Sequence, residues 1–557
     1  MGLNNKYVQP IRVKLKSFIA SIVKNGFENG SDKFSTGLFL RKMFQQHFAL
    51  FLYFLICFFS FIDFVCEYSF GAVLLFLIFC ISVWLCTSAW ERRFAAFSLV
   101  LLTILDYHFA QHYNRVLHEV GNQALVALHI TDPDEITTYL RTFLPSEVIL
   151  YAVLILALIL LFFVKIPERL FKSGFGRILP LALFLFGFWY NVVLPYNDFL
   201  TDWREKGMLL QERAKFSFHA EDKRPGIPQQ IFLIIGETHR HDHFDLLTNK
   251  KFAPVLHQLR AKGKLLILDD IITCYQTTFF SVASLLTRRG TDNQKRFYAE
   301  KGLIDLYKEA GYHTIFITYC RGSLENDVYN ITLRAADEYI NYRDYGRDRL
   351  DRLMIPICQK ISQDPTHKKL LVVIKMIGAH FYYQDRYTKE TMLYHPSFPP
   401  EFHSQSYDIS MKEKICNSYK NAVLESSVFL NGIADVVAKS AKPSMIFFIS
   451  DHGCTNYDDG KNPFIGGARE NYHVPCFFYF NDSFLKILPE KDYANLKKNA
   501  GASITNSWIF DTMVSLSGIN YPSRRPSMDL TSPSFKDIEN RMVWQWNDRV
   551  PYNSLKR

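Results

Sequence analysis

Apolar positions along this chain follow two unlike regimes. Up to about residue 196 they form long blocks: 47–65 (HFALFLYFLICFFSFIDFV), 69–90, 94–107 with its flank, 147–166 (EVILYAVLILALILLFFVKI) and 178–196. A bilayer core takes about 20 residues of helix, so these blocks predict five spanning helices. The third is short and carries Asp106. Lys and Arg gather before the first block (Lys6, Arg12, Lys14, Lys16, Lys24, Lys33, Arg41, Lys42), after the second (Arg92, Arg93) and after the fourth (Lys165, Arg169, Lys172, Arg177). Positively charged loops stay in the cytoplasm. The N-terminus is therefore expected there, and five crossings carry everything after Tyr196 to the far side. Residues 1–46 are polar and basic, with no early apolar core or small-residue cleavage site, so no signal peptide is expected.

From residue 229 the pattern changes to short apolar runs: 231–236, 265–269, 313–319, 370–378, 445–450 and 474–480. Helix-like stretches such as 349–363 and 408–440 separate them. Continuous apolar strands alternating with helices predict an α/β domain whose mostly parallel central sheet is covered on both faces. The expected plan is a cytoplasmic segment (1–46), a transmembrane domain (47–196) with an external loop (108–146), a polar juxtamembrane connector (197–228) and a catalytic domain (229–557).

Composition narrows the chemistry. Net charge is +10 over 557 residues without a block of basic residues, which argues against a nucleic-acid partner. Of the ten cysteines, Cys57, Cys66, Cys80 and Cys86 lie in or beside the apolar blocks. Cys274, Cys320, Cys358, Cys416, Cys454 and Cys476 lie beyond them. The absence of any CxxC pair argues against a thiolate zinc cluster. Outside the cytoplasm some of the last six are free to form disulfides.

Sites in such sheets form beyond the carboxyl ends of strands, and four stretches there carry suitable groups. Gly236-Glu237-Thr238-His239-Arg240 ends the first run. Ser450-Asp451-His452-Gly453 ends another and sets an oxygen ligand beside a nitrogen ligand, a pairing that suits zinc. Cys274-Tyr275-Gln276-Thr277-Thr278 leads into an apolar helix-like stretch. A hydroxyl there meets the positive end of the helix and is either an activated nucleophile or only an N-cap. Gly378-Ala379-His380 ends the longest run, and His380 is either a phosphate or metal contact or a structural histidine.

Together GETHRHDHF, the Thr-Thr segment, GAH and SDHG resemble, in order and rough spacing, the phosphoethanolamine transferases. These are membrane-anchored enzymes of the alkaline-phosphatase/sulfatase-like superfamily. The resemblance spans nearly the whole chain, the five-span anchor included. It implies Glu237, Thr278, Asp451 and His452 as zinc ligands, with Thr278 also the nucleophile. It implies His380 as the group that contacts the phosphoryl or a further metal. Lys375 stands where many relatives have another histidine, on the substrate side. Thr131 and Glu135, in Thr131-Asp132-Pro133-Asp134-Glu135, match residues that help hold the ethanolamine headgroup. The chain departs from the family in several places. Ser284 replaces the cysteine that often pairs across the nucleophile, so Cys274 needs another partner. Cys454-Thr455 replaces Glu-Ser after the DHG, and Ala127 replaces an Asn. Gly466-Gly467 sits where a later histidine is usual, with His473 nearby.

The function implied is transfer of phosphoethanolamine from phosphatidylethanolamine to a lipopolysaccharide or lipooligosaccharide, on a core heptose or lipid A. It would run through zinc and a covalent threonine intermediate, at the inner membrane with the catalytic domain in the periplasm. Two alternatives stand beside it. One is a phosphoglycerol transferase or phosphodiesterase on the same fold. The other is an inactive scaffold that binds lipid headgroups.

Overall fold

The computed structural model describes residues 48–58, 80–81, 83, 88–113, 145–164, 194–288, 296–319, 328–342, 350–400, 409–460, 466–545 and 548–555. The chain divides into two compact units, residues 1–104 with 150–186, and residues 105–149 with 187–557.

In the first unit residues 48–58 are helical. They pack with parts of α1 (Ala89–Tyr113) and α2 (Pro145–Phe163) around Leu52, Tyr53, Ile56, Ala96, Val100, Leu154 and Leu161. The opposite faces remain apolar and exposed, with Trp90, Phe94, Phe97, Leu101, Ile155, Leu156 and Phe163 outward. Arg93 donates to the Leu161 and Val164 carbonyls at 3.3 and 3.1 Å. That contact brings the start of α1 to the end of α2. Among the described residues no helix is long and apolar enough to cross a membrane. Most of the expected second and fifth blocks, and residues 47 and 59–65 of the first, lie outside those residues.

The second unit is built on a seven-stranded sheet. Its strands in chain order are β1 (Gln229–Gly236), β2 (Leu265–Ile267), β3 (His313–Thr318), β4 (Glu338–Asn341), β5 (Lys369–Lys375), β6 (Ser444–Ser450) and β7 (Cys476–Phe480). Their spatial order is β2-β7-β6-β1-β5-β3-β4. The five strands from β6 to β4 are parallel; β7 and β2 add antiparallel pairings at one edge. β1, β5 and β6 are buried along their whole lengths, as strands covered on both faces must be. One face packs Ile231, Leu233, Phe447 and Phe478 against α4 (Thr278–Leu286), α5 (Leu303–Glu309) and α8 (Ile509–Leu516). The other packs Phe232, Ile234, Val372 and Phe448 against α6 (Met354–Gln363) and the long α7 (Lys412–Lys439).

All six apolar runs are strands, and both helix-like stretches contain helices. The polar connector is not a simple linker. Leu194–Lys215 is a helix, α3, whose Arg213 donates to Asp305 at 3.2 Å, and Phe218 is buried against Phe510 and Tyr521.

Candidate metal and nucleophile site

Adjacent parallel strands β5, β1 and β6 end side by side, which delivers Lys375, Glu237 and Asp451-His452 to one place. A fourth contribution comes from the start of α4. Glu237, Asp451 and His452 are buried and offer ligand atoms within 4.8 Å of one another. Thr278 Oγ1 donates to Glu237 Oε2 at 3.0 Å and lies 3.2 Å from His452 Nε2. The His452 Nδ1 lies 2.7 Å from the Gly453 carbonyl, a contact that requires an N–H there. Nε2 therefore turns its lone pair toward the cluster.

The same atoms test whether a metal fits. Asp451 Oδ1 accepts from the backbone of Thr238 and His452 at 3.1 and 2.7 Å. Its Oδ2 is buried without a hydrogen bond and has the Lys375 ammonium 3.2 Å away to offset its charge, which leaves a lone pair open to a further cation. Two carboxylates, one imidazole and one hydroxyl form an oxygen and nitrogen set of the kind zinc takes. The donors present fit the ion.

Lys375 sets the charge balance. Its buried ammonium lies 2.6 Å from Glu237 Oε2 and 3.2 Å from Asp451 Oδ2, and donates to the Gly236 and Met376 carbonyls. Burial alone would raise the carboxyl pKa of Glu237, but nearby positive charge, that of Lys375 foremost, overcomes it and holds it well below the usual range. Asp451 moves the other way, raised by burial and by the neighbouring Glu237 charge.

Of 557 residues, 291 (229–519) match the model of the sulfatase family. The chain belongs to the sulfatase family. Within it the resemblance to phosphoethanolamine transferases read from the motifs is borne out. The chain is similar to phosphoethanolamine transferase EptC of Escherichia coli (strain K12), 22% identical over 406 residues, 70% of this chain and 67% of the relative. Its fold is that of the zinc-complexed C-terminal periplasmic domain of Escherichia coli EptC (TM-score 0.53, 19% identity, 60% of this chain and 96% of that one). It is also that of the integral membrane lipooligosaccharide phosphoethanolamine transferase A of Neisseria meningitidis (TM-score 0.62, 15% identity, 87% and 97%).

For this sulfatase-family site, the structure brings together Glu237, Thr278, Lys375, Asp451 and His452. His380 lies in the turn after β5, half-buried, with Nδ1 2.6 Å from the Phe381 carbonyl. Thr131 and Glu135 lie outside the described residues. Thr277 is at the N-cap position of α4 in extended backbone, yet its side chain makes no capping bond. Cys274 is a buried thiol 3.9 Å from the Ser507 hydroxyl. A hydrogen-bonded staple now braces the segment. Asn506 Oδ1 accepts from the Cys274 N–H at 3.1 Å, and its Nδ2 donates to Ser284 Oγ at 2.9 Å and to the Ser281 carbonyl at 3.1 Å. His473 stacks on His241, with centroids 4.0 Å apart, rather than on the metal cluster.

Several positioning residues escaped the sequence reading. Asp351, buried, accepts from Ile377 N, Gly378 N and the Tyr342 hydroxyl at 2.8, 2.8 and 3.0 Å. It thereby fixes the turn that carries His380. Gly378 in that turn has φ +48°, and a Cβ there would lie 2.7 Å from the Glu237 carbonyl. Thr238 holds φ +62°, a strained value for a β-branched residue. From there its hydroxyl donates to Glu237 Oε1 at 2.6 Å. Ser281 donates to the Asp451 carbonyl and so ties α4 to the ligand loop. His239 is buried against Phe448 with neither ring nitrogen bonded, and burial drops its pKa to about 3. A strand-end Glu or Asp-His leaves a mark in sequence; partners that act through backbone N–H groups across the chain leave none.

Proposed function

We propose that this chain is a membrane-anchored, zinc-dependent phosphoethanolamine transferase. It takes the group from phosphatidylethanolamine and passes it to a lipopolysaccharide or lipooligosaccharide on the periplasmic side of the inner membrane. One observation carries the reading: the Thr278 hydroxyl at the first turn of α4 is directed at Glu237 Oε2 and sits within hydrogen-bond distance of His452 Nε2. The names borne by similar proteins, phosphoethanolamine transferase and lipooligosaccharide phosphoethanolamine transferase, support it.

Glu237, Asp451, His452 and Thr278 would hold the zinc, which when bound lowers the hydroxyl pKa and draws charge from the phosphoryl oxygens. Thr278 Oγ1 attacks phosphorus and hands its proton to the Glu237 carboxylate that already accepts it. The phosphorus–oxygen bond to the glycerol carbon chain breaks, and diacylglycerol leaves with a proton from solvent. A phosphoethanolamine ester of Thr278 remains. The N–H groups at the start of α4 face the phosphoryl anion and His380 neutralises its oxygens, while Lys375 stays between Glu237 and Asp451 rather than reaching the substrate. Thr131 and Glu135 hold the ethanolamine ammonium. An acceptor hydroxyl, releasing its proton to solvent, or an acceptor phosphate then attacks the ester, and Thr278 leaves and recovers its proton from Glu237.

Lipopolysaccharide mass spectra from a strain lacking the gene, complemented with the native chain or with Thr278→Ala, test this. The native chain should add one phosphoethanolamine increment and Thr278→Ala none. A glycerophosphate increment would replace the proposal with a phosphoglycerol transferase. An unchanged increment with Thr278→Ala would end it.

A further inference from the structure

A second cluster of metal-ligating side chains lies at the other end of the sheet. His313 opens β3, Glu338 opens β4, and His367 precedes β5 by two residues. Sheet register explains the meeting. Ile315 pairs with Glu338 in the parallel ladder, and His313 stands two residues before Ile315. Side chains two apart on a strand share a face, so His313 and Glu338 are diagonal neighbours on one face. His313 also pairs with Leu370 of β5, which brings the loop holding His367 alongside.

The result is a compact donor set. The imidazoles of His313 and His367 stack with centroids 3.6 Å apart and planes 4° from parallel. His313 Nε2 lies 2.7 Å from Glu338 Oε1. One ligand atom from each of the three falls within 4.8 Å of the others. On the far side of His313, Nδ1 faces Asp337 Oδ2 at 3.8 Å. Asp337 is itself held by Lys308 at 2.9 Å and by the Thr314 N–H and hydroxyl, so it cannot swing in as a ligand. At 3.8 Å it makes no hydrogen bond to the ring and acts on Nδ1 only through its charge.

We propose that His313, His367 and Glu338 form a second site for a divalent transition metal, apart from the catalytic cluster. Two imidazoles and one carboxylate select zinc, copper or nickel over calcium or magnesium. Zinc bonds to such donors run about 2.0–2.2 Å. One ring must therefore tilt out of the stack and Glu338 must draw back slightly. Glu338 is about half exposed, which leaves it room. Water or a small anion completes the coordination. The ion clips β3, β4 and the loop before β5 together at the sheet edge. A strand of six residues separates this end from the carboxyl ends, roughly 20 Å, so the ion takes no part in transfer.

Metal counting on the full-length chain, purified and equilibrated with free zinc buffered in the micromolar range, tests the site. Asp451→Asn, which disables the catalytic cluster, should keep one zinc per chain. Adding His313→Ala or His367→Ala should remove it. In the native background, where both sites fill, the same histidine changes should halve the zinc content and leave transfer intact. Copper(II) titrated into Asp451→Asn should give an electron paramagnetic resonance signal with two nitrogen ligands, falling to one with His367→Ala. No retained zinc in folded Asp451→Asn, or zinc that survives both histidine changes, would overturn the proposal. Neither result touches the assignment of Thr278.

Discussion

Lys375→Met is expected to destabilise the metal-free protein while leaving the zinc-loaded protein nearly unaffected. The ammonium of Lys375 lies 2.6 Å from Glu237 and 3.2 Å from Asp451, with all three groups buried. At an effective dielectric of about 20 the two attractions are roughly 6 and 5 kcal/mol. Desolvation of the ammonium offsets much of that, and removing one member of a buried ionic group costs about 3–5 kcal/mol. Methionine fills similar space, so the loss reflects charge rather than a cavity. Zinc returns positive charge to the same two carboxylates. Thermal melts should show the variant lower by on the order of 5–15 °C in chelator, with most of the gap closed in zinc. The same free energy should appear as zinc binding tighter by about 100-fold or more, since linkage makes the two measurements one quantity. An equal drop with and without zinc would mean that Lys375 matters for packing. No drop would mean that the carboxylates are not held together by its charge.

The other expectations concern single contacts. Asp451→Asn and His452→Ala should each lose most of the catalytic-cluster zinc by elemental analysis; full content in both would place the ligands elsewhere. Thr277→Ala should keep transfer and lose less than about 0.5 kcal/mol by denaturant titration, because no capping bond exists to break. Asp351→Ala strands the Ile377 and Gly378 N–H groups, so it should cost about 2–4 kcal/mol and slow transfer without changing zinc content. Burial raises the Asp351 pKa to about 6, above its unfolded value of about 3.9. Its contribution to stability is then fully present below about pH 4 and is lost as pH rises through about 6. The deficit of Asp351→Ala relative to the native chain should accordingly shrink from pH 4 to pH 7; a deficit that grows would contradict the burial argument.

Much of the catalytic architecture is legible in the sequence because the strands are covered on both faces. Full burial makes β1, β5 and β6 read as unbroken apolar runs, and the first polar residues after them are the site. Edge strand β4 is Glu-Tyr-Ile-Asn with only its last residue buried, so it offers no such run. The Thr-Thr pair shows a helix start but not which hydroxyl meets the cluster; that depends on the fold bringing β1 and β6 beside α4. Lys375 reads as a strand-end residue on the substrate side, and only the adjacency of β5 and β1 reveals its ammonium between two carboxylates. Asn506 lies more than 220 residues from the segment it staples, and no local pattern announces a contact of that range.

The central claim is that Thr278 carries the transferred group. Intact-mass analysis of the zinc-loaded chain after incubation with phosphatidylethanolamine, without acceptor, followed by peptide mapping, tests it most directly. The account expects an adduct of one phosphoethanolamine on Thr278, absent from Thr278→Ala and discharged when lipopolysaccharide is added. An adduct on Thr277, or normal turnover by a folded Thr278→Ala chain, would contradict it.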